Sequence, residues 1–76
     1  MNILEKADVV EERLRTVIQS EDKTGRRDKL MKHLGVIVYC KEEATKGNSS
    51  RYRDIILPDV FRKLVREFPE FSGIVK

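Results

Sequence analysis

The apolar run that decides the predicted fold is Gly35-Val36-Ile37-Val38-Tyr39-Cys40. A polar segment follows it, and then comes a second run, Arg51-Tyr52-Arg53-Asp54-Ile55-Ile56-Leu57. β-Branched and aromatic residues favour strands, and valine and isoleucine are poorer helix formers than leucine or alanine. We therefore predict a β-hairpin with its apolar ends paired and its tip around residues 46–50, where turn-forming residues are frequent. The alternative is one helix from 25 to 47, against which the strand propensity argues.

A long first helix is predicted before the hairpin. Asn2 is suited to cap it, and it should run to about Gln19, because apolar residues recur on one stripe. The stripe consists of Ile3, Leu4, Ala7, Val10, Leu14, Val17 and Ile18. We expect this stripe to pack in the core. The alternative is a seam between two copies, since two heptads fit it and would give a homodimer.

Two further helices are predicted, one on each side of the hairpin. A short one is capped by Asp22 or Thr24 and runs to about Leu34, with Gly35 where a C-terminal cap glycine belongs. The last begins at Pro58 and closes at Pro69. Its apolar stripe comprises Val60, Phe61, Leu64, Val65 and Phe68. Arg62 and Arg66 lie opposite this stripe with Lys63 beside them.

These elements predict an α+β fold in a single domain, residues 1–76, in the order helix–helix–β-hairpin–helix. Residues 69–76 form a tail. Its apolar residues, Phe71, Ile74 and Val75, are expected to fold back on the core; docking a partner is the alternative use.

The composition suits a small folded domain, since 39% of the residues are apolar and 38% are charged. The single cysteine excludes an internal disulfide and fits a reducing compartment. The longest apolar run, residues 35–40, is far shorter than the roughly 20 residues of a membrane span. The N-terminus lacks the pattern of a signal peptide. We expect a cytoplasmic protein without a membrane partner.

No catalytic, cofactor or metal site is predicted. His33 and Cys40 are single residues without a motif around them, too few for a structural zinc site. Glu42 and Glu43 would point to opposite faces of a strand and could not both hold one metal ion. Gly25 and Gly47 are isolated and form no phosphate-binding loop. We therefore expect a protein that is not an enzyme.

Charge is distributed unevenly along the chain, whose net charge is +3. Residues 1–22 carry six acids against three bases, whereas residues 23–66 carry twelve bases against five acids. Such asymmetry can steer a polyanion to one face. The predicted binding residues lie on the second helix and the hairpin tip: Arg26, Lys29, Lys32, Lys46, Arg51, Tyr52 and Arg53.

The order helix–helix–hairpin over roughly residues 24–57 resembles that of a winged helix, although a winged helix normally has three helices before its wing. The resemblance implies that the second helix enters a groove of the nucleic acid and the hairpin contacts its backbone. Asn48, Ser49 and Ser50 would add phosphate contacts, and Tyr52 would stack on a base of a single strand. We expect a small nucleic-acid-binding regulator.

The alternative function is a protein-binding adaptor, or an inhibitor of a larger enzyme or assembly. A two-stranded sheet leaves backbone donors and acceptors free at its edges for another chain to pair with. A helix face is the other surface that such a partner would use.

Overall fold

A computed structural model describes residues 2–46 and 50–75 of this chain. The helices are α1 (Ile3–Ser20), α2 (Thr24–Ala44), a π-helix (Tyr52–Ile56), α3 (Leu57–Glu67), a 3₁₀ turn (Pro69–Phe71) and α4 (Ser72–Val75). Within the described ranges no residue lies in a strand. The predicted α+β fold is therefore wrong. The winged-helix resemblance is wrong with it, because the hairpin was to be the wing.

The first helix is confirmed. The Asn2 side chain caps α1 by accepting a 2.9 Å hydrogen bond from the backbone N–H of Glu5. Ala7, Val10 and Leu14 are fully buried. The prediction that the apolar stripe packs in the core is confirmed for these residues.

The second helix differs most from the prediction. α2 continues without a break through residues 35–44, where the first strand of the hairpin was predicted. Its buried residues Leu30, Ile37, Cys40 and Ala44 are spaced seven, three and four apart, which puts them on one helical face. Gly35 does not end the helix and does not have a positive φ. Burial of this face outweighs the strand propensity of residues 36–39, since propensity is a weak preference that packing overrides. The alternative of one long helix is correct in kind, although α2 ends at Ala44 and residue 47 lies outside the described residues.

The second predicted strand is also helical. Ile55 and Ile56 lie in the π-helix, where the N–H of Leu57 bonds to the carbonyl of Tyr52, five residues back. Leu57 begins α3, and Pro58 lies in its first turn as predicted. Leu57 is fully buried, whereas Ile55 is 61% exposed.

The core lies where α1, α2 and α3 pack together, and the C-terminal segment closes it. Phe68 and Phe71 are buried, and Ile74 and Val75 pack against the core. The Lys6 amine donates a 2.9 Å hydrogen bond to the carbonyl of Val75, which joins the end of the chain to α1. The prediction that the tail folds back on the core is confirmed.

One charged cluster joins α2 to α1. The Lys41 amine lies 2.8 Å from an oxygen of Asp8 and 2.6 Å from an oxygen of Glu11. The hydrogen bond from Lys41 lowers the pKa of the Glu11 carboxyl below its ordinary value of 4.5, and Arg15 adds to this effect. Two of the acids of α1 are therefore paired with one base from the middle of the chain.

None of the helices in the described part of the chain combines the length and the apolar character needed to cross a membrane.

Candidate functional site

The candidate site lies where α2 and α3 run side by side, and a pair of side chains joins the two helices at its centre. The Nε2 atom of His33 is 2.8 Å from an oxygen of Glu67. The His33 ring also packs edge-on against Phe68, with 5.7 Å between ring centroids. His33 therefore links α2 to the C-terminal end of α3.

Four basic side chains surround this pair, two from each helix. Lys29 and Lys32 line one shallow groove together with His33 and Glu67, and Lys63 and Arg66 line an adjoining groove with the same two residues. All four basic side chains are exposed. We call Lys29, Lys32, Lys63 and Arg66 the basic face.

Most of the charge on the basic face is available to a ligand. In the described ranges, Lys29, Lys32 and Arg66 form no ion pair. Lys63 lies 3.2 Å from an oxygen of Asp59, in an exposed pair that contributes little to the stability of the fold. A strongly anionic ligand can therefore compete for Lys63 as well.

Of the residues predicted for the site, Lys29 and Lys32 belong to the basic face. Arg26 lies one turn before Lys29, but its guanidinium is bound to Glu70 and to Glu21, the latter at 2.6 Å. It also lies over the ring of Phe68, 4.8 Å from the centroid. These carboxylates raise the pKa of Arg26. Through these contacts Arg26 links the C-terminal segment to the start of α2.

The other predicted residues lie beyond the far end of α2. The Nε of Arg53 donates a 2.8 Å hydrogen bond to the carbonyl of Ala44, and Lys46 pairs with Glu43 at 2.5 Å. Along a helix that rises 1.5 Å per residue, Ala44 is about 18 Å from Lys32. The two predicted halves of the site are therefore not brought together.

Two aromatic residues meet at that far end. The Tyr52 ring packs edge-on against Tyr39, with 6.2 Å between centroids, and Arg51 beside Tyr52 is exposed. Ser50 is exposed and begins the helical segment that leads into the π-helix. Asn48 and Ser49, the other predicted phosphate contacts, lie outside the described residues.

Cys40 has no role in this surface. It is buried in the core, 4% exposed, and burial raises the pKa of its thiol. A buried, protonated thiol behaves as a small apolar side chain.

Lys63 and Arg66 were missing from the predicted site. Their place on the outer face of the last helix was visible in the sequence, but their neighbours were not. A helical α2 through residue 44 runs antiparallel to α3, and this arrangement places them beside Lys32 and Lys29. The helical spacing of Leu30, Ile37, Cys40 and Ala44 was the signal for that arrangement.

Comparison with known proteins adds no assignment to this geometry. No protein-family model, curated protein or solved structure matches the chain. The charges and contacts of the basic face are therefore the basis on which a function can be proposed.

Proposed function

We propose that this protein is a non-enzymatic regulator that binds nucleic acid through the basic face. The observation that carries the proposal is the convergence of four exposed cations from α2 and α3, three of them without an ion pair in the described ranges. Lysine and arginine side chains in such an arrangement bind phosphate groups and release counterions.

Two of the acidic residues near the basic face are engaged, whereas Asp28, which precedes Lys29 in α2, is exposed and forms no ion pair in the described ranges. Glu67 is within hydrogen-bond distance of His33, and Asp59 pairs with Arg62 and Lys63. α1, which carries several acids, packs against α2 and α3, and its Asp8 and Glu11 are paired with Lys41. This arrangement would orient a polyanion towards the basic face and away from α1.

The test is the binding of a fluorescently labelled single strand and a labelled duplex, measured by anisotropy at two or more salt concentrations. We expect binding that weakens steeply with salt. Replacing Lys29, Lys32 and Arg66 with glutamine should reduce the slope of log affinity against log salt on duplex by about 2–3, because each lost phosphate contact removes about 0.9.

A charge-matched control distinguishes the basic face from net charge. Arg13, Lys23 and Arg27 are exposed and line neither groove of the basic face, and their triple glutamine variant changes the net charge equally. It should retain most of the affinity and nearly the full salt slope. An equal loss in both triple variants, or no binding by the wild type at low salt, would overturn the proposal.

A second candidate function is binding to a protein through a helix face. Val36 and Tyr39 are one turn apart on α2 and are 46% and 56% exposed. The Tyr39 ring contacts Tyr52, one turn before the exposed Ile55. Exposed apolar side chains of this kind suit a protein partner. Recovery of one stoichiometric protein after nuclease treatment would favour this candidate; a sheet edge is no longer available for it.

A further inference from the structure

A second concave surface lies on the other side of α3, where the start of α1 and α4 meet it. Its volume is about 630 Å³. Sites for small molecules in proteins typically enclose about 300–1,000 Å³. Along α3 this surface extends from Pro58 to Arg66, which is about 12 Å at 1.5 Å per residue. We call it the α1–α3–α4 groove.

The walls of the groove are apolar. Phe61 is buried and forms part of the lining, and Ile3, Val65 and Val75 are half-buried around it. These half-buried side chains pack on the core with one side and leave apolar surface in contact with water on the other. A hydrocarbon chain laid along the groove would remove that surface from water, which is favourable in proportion to the area covered.

The rim of the groove is cationic. Arg62 and Arg66 are exposed and lie one turn apart on α3, and Lys6 faces them from α1. The Lys6 amine is held by the carbonyl of Val75, and Arg62 makes an exposed 3.2 Å contact with Asp59. No acidic side chain lines the groove in the described part of the chain. Charge complementarity therefore calls for an anionic head group beside an apolar chain.

We propose that the α1–α3–α4 groove binds a medium-chain fatty acid. The hydrocarbon chain lies along Phe61, Val65 and Val75, and the carboxylate meets the guanidinium groups of Arg62 and Arg66. Arginine suits this role because its planar guanidinium matches the geometry of a carboxylate. The inference does not depend on nucleic-acid binding, although Arg66 borders both surfaces.

The test is calorimetric titration of the full chain with decanoate, below the concentration at which decanoate forms micelles. We expect saturable binding of one decanoate per chain. Decyltrimethylammonium has the same chain with a cationic head and should bind at least tenfold more weakly; acetate, which has no chain, should not bind. Equal binding of the two amphiphiles, or no saturable binding of decanoate, would overturn the proposal.

Substitutions at single charged residues test where decanoate binds. Arg62→Gln should weaken decanoate binding by up to about fivefold, in the range of an exposed ion pair. Arg13→Gln removes the same charge from the exposed surface of α1 and should leave the affinity for decanoate unchanged. The double variant Lys29→Gln, Lys32→Gln should also leave it unchanged. Undiminished decanoate binding by Arg62→Gln would contradict the site.

Failure of the fatty-acid proposal is distinguishable from failure of the nucleic-acid proposal. Arg62 is outside the basic face, and Lys29 and Lys32 are outside the groove, so the two sets of variants report on different surfaces. An acidic amphipathic peptide serves as a further arm of the titration. If the peptide bound in an Arg62-dependent manner and decanoate did not, the groove would belong to a protein partner and the fatty-acid proposal would be wrong.

Discussion

Replacing Gly35 with proline should lower the free energy of unfolding by about 3 kcal/mol or more, and replacing it with alanine should raise it by about 0.5–1 kcal/mol. Gly35 lies in the interior of α2 and is exposed. Proline there removes a backbone hydrogen bond and clashes with the preceding turn. Alanine restricts the unfolded chain and adds helix propensity.

The expected gain from alanine depends on two observations at this position. A Cβ atom built on Gly35 has no neighbour within 4 Å outside its own helix, so the methyl group meets no obstacle. The φ angle of Gly35 is not positive, so an L-residue fits the backbone. Had Gly35 ended the helix in the left-handed conformation, as the sequence suggested, alanine would destabilise the protein.

Gly25 provides the matched control. It lies in the first turn of α2, where backbone N–H groups have no partner within the helix, so Gly25→Pro should cost much less than Gly35→Pro. The measurement is urea unfolding followed by circular dichroism. A destabilising Gly35→Ala, or a Gly35→Pro no more costly than Gly25→Pro, would contradict a continuous α2.

Replacing Phe71 with alanine should cost about 3–5 kcal/mol, the range for deleting a buried aromatic ring. Phe71 is 1% exposed and lies in the 3₁₀ turn, where its N–H bonds to the carbonyl of Phe68 at 3.1 Å. The total stability of a chain of 76 residues is of the order of 4–11 kcal/mol, so the variant loses about a quarter of it or more.

Ile55→Ala is the control for Phe71→Ala, because Ile55 is 61% exposed and its truncation should change stability by less than about 0.5 kcal/mol. Chemical denaturation of both variants gives the comparison. A Phe71→Ala variant as stable as Ile55→Ala would mean that residues 69–75 are not part of the core.

The first and last helices could be predicted from the sequence because their signals are local. The stripe from Ile3 to Ile18 has a single helical period, and Asn2 marks its start. For α3, the stripe from Val60 to Phe68 lies between Pro58 and Pro69, which mark its two ends. Each of these signals depends on residues within a few turns of one another.

The secondary structure of residues 35–57 could not be predicted in the same way. Val36 to Tyr39 are apolar at every position, so neither a period of two nor one of 3.6 is visible within the run. Whether it forms a strand or a helix depends on burial of Ile37, Cys40 and Ala44 against α1 and α3, which is a long-range property. The π-helix has no local signature either.

Only part of the candidate site could be predicted from the sequence, for the same reason. Lys29 and Lys32 were found because they share the outer face of one helix. Arg26 belongs to the predicted set as well, but it is bound to Glu70, which is 44 residues away in sequence. Lys63 and Arg66 join the face only because α2 and α3 are antiparallel. Which charges are free depends on contacts between residues that are distant in sequence. A single sequence does not show these contacts directly.

Titration of ¹⁵N-labelled protein with an oligonucleotide at low salt, followed by amide shifts in NMR spectra, tests the central claim most directly. We predict that the largest changes fall on Lys29, Lys32 and His33 in α2 and on Lys63 and Arg66 in α3, with little change at Glu5–Glu12. Changes centred on residues 50–53, or no changes at all, would contradict nucleic-acid binding by the basic face.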